Sequence, residues 1–194
     1  NGYFYTEIEN YLQKLGYSIN NKILDASNYG VPQKRKRAFI IANRINKSIS
    51  FPDEETQIIT VEDAISDLPI LKSAEGELFT PYNKKPQSKY QKNIREFSSG
   101  IYNHIATKHS KDALHKLSFI PPLGDKNDIP LNLRTKSLHS GTWSRINPKK
   151  PARTITTRFD TPSSGQFTLN FQDRCLTVRE AARIQSFPDK FIFY

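Results

Sequence analysis

The first 45 residues alternate between two periodicities. Phe4, Ile8, Tyr11, Leu12 and Leu15 recur at helical spacing, and Gly16 supplies a C-terminal stop. Tyr17–Leu24 then reads as a strand, and Ala38-Phe39-Ile40-Ile41-Ala42 is a short continuous apolar run, as in a strand buried on both faces. A helix between two such strands predicts one edge of a doubly wound α/β sheet. Thr60 precedes Val61-Glu62-Asp63 and an Ala64/Ile65/Leu68 apolar set, a capped short helix ended by Pro69. From Lys72 to Lys108 no period is sustained. Ser110 caps a predicted helix through Leu117, stopped by Pro121-Pro122. Strand-like pieces at Arg153–Arg158 and Gln166–Leu169 flank the turn-forming run Asp160–Gly165. Thr177 with Glu180 makes a capping box, opening a helix through Gln185 that Pro188 closes.

Charge changes this picture. The 194 residues carry 29 Lys or Arg against 19 Asp or Glu, a formal net charge of +10, which makes a polyanion the default partner and nucleic acid the first choice. Asp53–Glu77 is acidic, whereas Leu78–Arg158 holds 16 Lys or Arg against four acids, a surplus of twelve. A phosphate-facing surface is therefore expected in that middle stretch, unless its lysines serve only solubility. No apolar run nears the roughly 18–20 residues of a membrane span, and no signal peptide heads the chain. One cysteine, Cys175, excludes an internal disulfide and a multi-cysteine zinc site, which fits a cytoplasmic protein without a metal. The chain has no methionine and opens on Asn1, so a piece of something longer is the expectation.

Few residues offer chemistry. His104, His109, His115 and His139 are scattered and read as surface or loop residues. Cys175 lies just ahead of the last capped helix, yet it lacks an oriented base and reads as small buried filler. No Gly-x-Gly-x-x-Gly or Walker loop is present. What remains is Gln33-Lys34-Arg35-Lys36-Arg37, behind the rigid turn of Gly30 and Pro32. Arg35 and Arg37, two apart at the start of a strand, are expected to point to opposite faces, one to a phosphate and one into a pocket. A guanidinium fork suits either. A basic turn guarding a sheet edge against aggregation is the competing reading.

Four segments carry a family resemblance. Asp25-Ala26-Ser27-Asn28-Tyr29-Gly30-Val31-Pro32-Gln33-Lys34-Arg35-Lys36-Arg37 resembles motif VIII of the DNA (cytosine-5)-methyltransferases. Thr60–Pro69 resembles the segment that often follows it. Pro151-Ala152-Arg153-Thr154-Ile155-Thr156 is similar to motif IX, and Leu176–Asp189 to the approach to motif X. The resemblance implies a two-domain enzyme that moves a methyl group from S-adenosylmethionine to C5 of a flipped-out cytosine in duplex DNA, as in restriction–modification systems. The Pro-Cys, Glu-Asn-Val and Gly-rich cofactor motifs that the family uses do not occur here, nor does the Gly-Asn-x-Val-Pro part of motif X. Where relatives often have a His-Pro pair, this chain reads Leu169-Asn170-Phe171.

The resemblance therefore implies a C-terminal part, inactive alone, whose partners are duplex DNA and an N-terminal catalytic half that holds most of the cofactor site. Its fold would be the edge of a Rossmann-like sheet plus a smaller, mostly β or irregular recognition domain. The implied layout is 1–70 for the end of the catalytic domain, 71–175 for target recognition, and 176–194 for the helix leading into motif X. Arg37 would reach the flipped cytosine or its adjoining backbone, with Gln33 and Arg35 supporting the DNA and the pocket. Arg153, Thr154 and Thr156 of motif IX would contact DNA or organise the recognition domain. Arg158, Ser163 and Ser164, at the Phe159–Gln166 turn, form a candidate recognition loop or a plain connection. The competing functions are a DNA-binding module without catalysis and an RNA cytosine-5 methyltransferase fragment; the long basic insert favours duplex DNA.

Overall fold

The computed structural model describes residues 2–45, 47, 49–136 and 140–194, so His139 lies outside the described residues. The predicted first helix is α1 (Tyr3–Lys14), and Gly16 at φ 80° lets the chain reverse directly into β1 (Ser18–Asp25). β1 pairs antiparallel with β2 (Lys36–Asn43), in a register running from Ser18 opposite Asn43 to Asp25 opposite Lys36. Residues 26–35 separate the two strands and hold only a single helical turn, Ala26–Tyr29, so the helix precedes the strands rather than joining them. They form a two-stranded sheet by themselves. The apolar run 38–42 is not buried here: Phe39 is 46% and Ile40 37% exposed. A run apolar on successive residues needs cover on both faces, and no described element supplies it.

Thr60 and Asp63 close the expected capping box on α2 (Val61–Ile65). The aperiodic stretch that follows contains structure that its sequence did not announce. β3 (Gly76–Thr80) pairs antiparallel with β4 (Ile101–Ile105), and α3 (Lys89–Ile94), capped by Ser88, lies between them. Gly76 makes this pairing possible, since a Cβ there would sit 2.1 Å from the His104 carbonyl oxygen. Ser110 caps α4 (Lys111–Leu117), and the Thr177–Glu180 capping box opens α5 (Val178–Ile184).

The strands expected at 153–158 and 166–169 do not form. Single bridges replace them: Gln33 with Ala152, Arg145 with Thr168, and Thr168 with Cys175. The backbone partners come from different segments, so no ladder builds up. The run at 160–165 contains one helical turn, Pro162–Ser164.

The main core joins Val61, Ile146, Ala152, Ile155, Phe167, Leu169, Cys175, Leu176, Ala181 and Ile184. A second cluster gathers Leu117, Ile120, Ile129 and Trp143. Arginines penetrate the main unit. Arg183 is fully buried and donates to Asp67 (2.5 Å), to Asp189 (2.6 and 2.9 Å) and to the Ala64 carbonyl (3.0 Å). Arg174 grips Glu180 through two hydrogen bonds of 2.8 and 2.9 Å, the bidentate geometry that suits a planar guanidinium.

Candidate functional site

The basic turn is held by its own first residue. Oδ1 of Asp25 accepts from the Ser27 amide (3.2 Å), the Ser27 hydroxyl (2.9 Å) and the Arg35 amide (3.1 Å). Burial pushes the Asp25 carboxyl up, but the Ser27 and Arg35 hydrogen bonds and nearby Lys36 outweigh it and hold it below its ordinary value. Gly30, at φ 75°, ends the helical turn in the left-handed region.

The chain then meets a segment far away in sequence. The Ala152 amide donates to the Pro32 carbonyl (2.9 Å), and the Lys34 amide donates to the Ala152 carbonyl (2.8 Å). The buried Gln33 accepts the Ile155 amide on Oε1 (3.3 Å), and the Thr154 hydroxyl donates to the Lys34 carbonyl (2.8 Å). The two segments singled out as motif-like thus lie side by side. Gln33 and Thr154 both point their hydrogen-bonding atoms into this joint.

Arg35 is half-buried and Arg37 exposed. Their expected opposite orientation needs correcting on its own rule, because side chains alternate with a period of two and residues two apart within a strand share a face. β2 begins only at Lys36. Arg35 stands before the ladder with its amide turned to Asp25, whereas Arg37 lies within it, opposite Leu24. One Arg37 nitrogen donates to the Lys36 carbonyl (2.7 Å), which leaves most of its donors outward.

Arg153 is exposed and reaches the Ser140 hydroxyl (2.9 Å). Gly141 permits this, since a Cβ there would lie 2.8 Å from the Arg153 guanidinium. The Trp143 amide donates to the Pro162 carbonyl (2.7 Å), tying the 140–144 loop to the turn that carries the half-buried Ser163 and Ser164. Thr156 and Arg158 are exposed further along the same segment.

The basic surplus of the middle stretch is partly internal. Arg145 is buried and donates to the carbonyls of Ile120 and Leu169 (both 2.8 Å), as well as to Asp173 (2.5 Å). Arg134 donates to the carbonyls of Ile129 and Asn127. Arg95 pairs with buried Asp67, and the largely buried Lys116 with Asp112. A residue count cannot separate these internal cations from outward ones.

His104 corrects the surface reading of the histidines. It is buried within β4, its Nδ1 2.9 Å from the Thr177 hydroxyl and its Nε2 3.0 Å from the Pro69 carbonyl. Burial lowers its pKa. His109 is half-buried, and its Nε2 accepts the Cys175 amide (3.1 Å). Cys175 itself is 1% exposed, and burial pushes its thiol up to about 12. Among the described residues no group of three or more His, Cys, Asp or Glu could hold a metal ion, and no helix is long and apolar enough to cross a membrane. An apolar cavity of about 520 Å³ opens beside α2, lined by Val61, Ile65, Leu169 and Phe171, but none of Gln33, Arg35, Arg37 or Arg153 lines it.

Together these features define a basic, mixed α/β protein whose guanidinium-bearing surface is assembled from two segments about 120 residues apart. The chain belongs to the C-5 cytosine-specific DNA methylase family, which it matches over residues 1–194. It is 34% identical over 201 residues to the Type II methyltransferase M.DdeI of Desulfomicrobium norvegicum, covering 92% of this chain and 46% of that protein. With the Type II methyltransferase M1.HphI of Haemophilus parahaemolyticus it shares 36% identity over 191 residues, covering 96% and 43% respectively. The chain thus spans about half the length of these curated relatives. Its fold is similar to that of a crystal structure described as a prophage-encoded DNA modification methyltransferase from E. coli, with a TM-score of 0.68 at 23% identity, covering 93% of this chain and 53% of the other.

Proposed function

We propose that this chain is the C-terminal part of a DNA cytosine-5 methyltransferase and supplies target recognition together with one wall of the cytosine site. The joint between the basic turn and the Ala152–Ile155 segment carries this reading, because it ties the backbone that carries Arg35 and Arg37 to the one that carries Arg153. Residues 1–70 would close the catalytic domain, 71–175 read the target, and 176–194 lead toward motif X. The exposed apolar side chains Phe4, Tyr11, Ile23 and Phe39 on α1, β1 and β2 suit continuation of a larger sheet and its helical cover.

Within this reading, Arg37 offers its outward donors to a cytosine carbonyl or a neighbouring phosphate, and Arg35 stiffens the turn behind it. Gln33 acts through the joint. The complete enzyme would use S-adenosylmethionine as methyl donor. The residues described here do not fit a site for it: Gly16, Gly30, Gly76 and Gly141 take positive φ singly, and none belongs to a Gly-rich strand-to-helix loop. No step is assigned to that group in this chain.

The test is transfer of a labelled methyl group to duplex DNA by the chain alone, by a separately expressed N-terminal half, and by their mixture. Only the mixture is expected to methylate, and an RNA duplex of the same sequence is expected not to accept. Methylation by the chain alone would overturn the assignment. DNA binding by the chain with no recovery of transfer in any mixture, or in a single-chain fusion, would favour a bare binding module.

A further inference from the structure

We infer that the extended segment Ala152–Ile155 couples target recognition to the arginine wall, with Thr154 as a positioning residue rather than a DNA contact; this rests on the methyltransferase reading above. Two adjacent side chains on that segment bond in different directions. The Thr154 hydroxyl donates to the Lys34 carbonyl at 2.8 Å, immediately before Arg35. The neighbouring Arg153 donates to Ser140 at 2.9 Å, at the start of the loop that Trp143 ties to the Pro162 turn.

The segment is stiff enough to transmit a displacement. Ala152 and Ile155 are core residues, 5% and 8% exposed, and Trp143 is 4% exposed. On the wall side the Thr154 bond is reinforced by the Lys34–Ala152 and Ala152–Pro32 backbone bonds and by Gln33 on Ile155. On the loop side Gly141 is obligatory: it takes φ +81°, and a Cβ would press against the Arg153 guanidinium. A shift of the 140–144 loop and the Pro162–Ser164 turn on meeting DNA therefore moves Arg153, and through the next residue it moves the carbonyl that precedes Arg35. Displacements of about an ångström at reacting groups cost up to about a hundredfold in rate, so a link of this kind lets a correct target raise the rate of transfer rather than only the affinity.

The complete enzyme tests this with three substitutions. Thr154→Val keeps the shape and removes the donor, Thr154→Ser keeps the donor, and Ser140→Ala removes the acceptor on the exposed loop side. Thr154→Val is expected to lower the single-turnover methylation rate about tenfold on saturating cognate duplex, while Kd and its salt dependence stay within about twofold. Thr154→Ser should restore the rate to within about threefold. Ser140→Ala should lower the rate in the same sense, and adding it to Thr154→Val should lower the rate no further, since one link is broken in both.

An unchanged rate in Thr154→Val overturns the inference. So does a weakened Kd with a shallower salt slope at normal rate, which is the signature of a direct phosphate contact. Multiplying effects in the double variant also overturn it. Should Thr154→Val fail to fold, Ser140→Ala alone decides by the same split between rate and affinity. A wild-type enzyme that transfers no methyl group to DNA refutes the functional reading itself, separately from these comparisons.

Discussion

The α1–β1–β2 unit and the part built around α5 solve the folding problem in opposite ways. The first has the longest regular elements, yet no residue of α1 is buried, and Tyr3, Phe4 and Ile23 are each 69–71% exposed. The second has helices of five to seven residues and two five-residue strands, yet six of the seven residues of α5 are buried. What holds it is side chain on carbonyl. Arg179 donates to the carbonyls of Tyr102 (2.8 Å) and Phe191 (2.5 Å), and Arg183 joins α5 to Asp67 and Asp189. Regularity and burial are separate properties. Local pattern builds the first unit, and desolvated guanidiniums with satisfied donors lock the second.

The largest effect should come from breaking that lock. Arg183→Met leaves Asp67 and Asp189 fully buried, with Asp189 losing its shortest partner and Asp67 keeping only Arg95. Removing one partner of a buried ion pair costs about 3–5 kcal/mol. In urea denaturation of this chain the midpoint should fall accordingly. Phe39→Ser, at a β2 residue that is 46% exposed, should cost less than about 0.5 kcal/mol in the same assay. Equal losses for the two substitutions would erase the comparison.

The same division explains what could be read in advance. Helix caps at Thr60, Ser110 and Thr177, and the spacing of α1, are local signals and needed no tertiary information. β3, α3 and β4 were not legible: β3 is almost wholly exposed, and its pairing depends on Gly76 passing close to the His104 carbonyl. Arginine reads as a surface residue until its partners are known, and the Arg183 partner Asp67 lies 116 residues away. The candidate site divides likewise. The Gly30–Arg37 turn is visible in the chain, but the bond from the Thr154 hydroxyl to the Lys34 carbonyl spans 120 residues and could not be read from it.

Acid should loosen the two units unequally. Burial lowers the His104 pKa; Glu180 and the Pro69 carbonyl act to raise it, while Arg174 and Arg183 act with burial. A histidine whose folded pKa lies below its unfolded value of 6.5 contributes stability that is complete above that value and lost as pH falls below it. His109, lowered by burial against Asp160, acts in the same sense. Burial raises the Glu180 carboxyl but Arg174 outweighs it, so a second loss begins only below the ordinary 4.5. Asp25 in the basic turn, also lowered, enters below 3.8. Between pH 6.5 and 5 the α5 unit alone should therefore weaken, by at most about 1.4 kcal/mol per pH unit for each proton bound. Hydrogen exchange should show α5 amides losing protection over that range while β1–β2 amides stay level, and His104→Gln should flatten the response. A uniform response across both units, or one unaffected by His104→Gln, would contradict it.

The smallest effect concerns the single thiol, which also gives the comparison its most direct readout. Cys175 is 1% exposed, and burial pushes it up to about 12, so at pH 7.5 almost none is thiolate and a reagent must wait for the core to open. Its amide is held by His109, and its Sγ lies 4.0 Å from the Thr168 hydroxyl, a packing contact with no oriented base. Cys175→Ala should therefore leave methyl transfer by the complete enzyme within about twofold and cost about 1 kcal/mol of stability. In that background Phe39→Cys places a thiol on the open face of β2. Aromatic-disulfide labelling of this chain should be immediate at position 39 and limited by unfolding at position 175. Matching rates would mean that the α5 core opens as readily as the hairpin. A large activity loss in Cys175→Ala with stability intact would mean that a residue lodged between Arg174 and Leu176 does chemistry that its burial forbids.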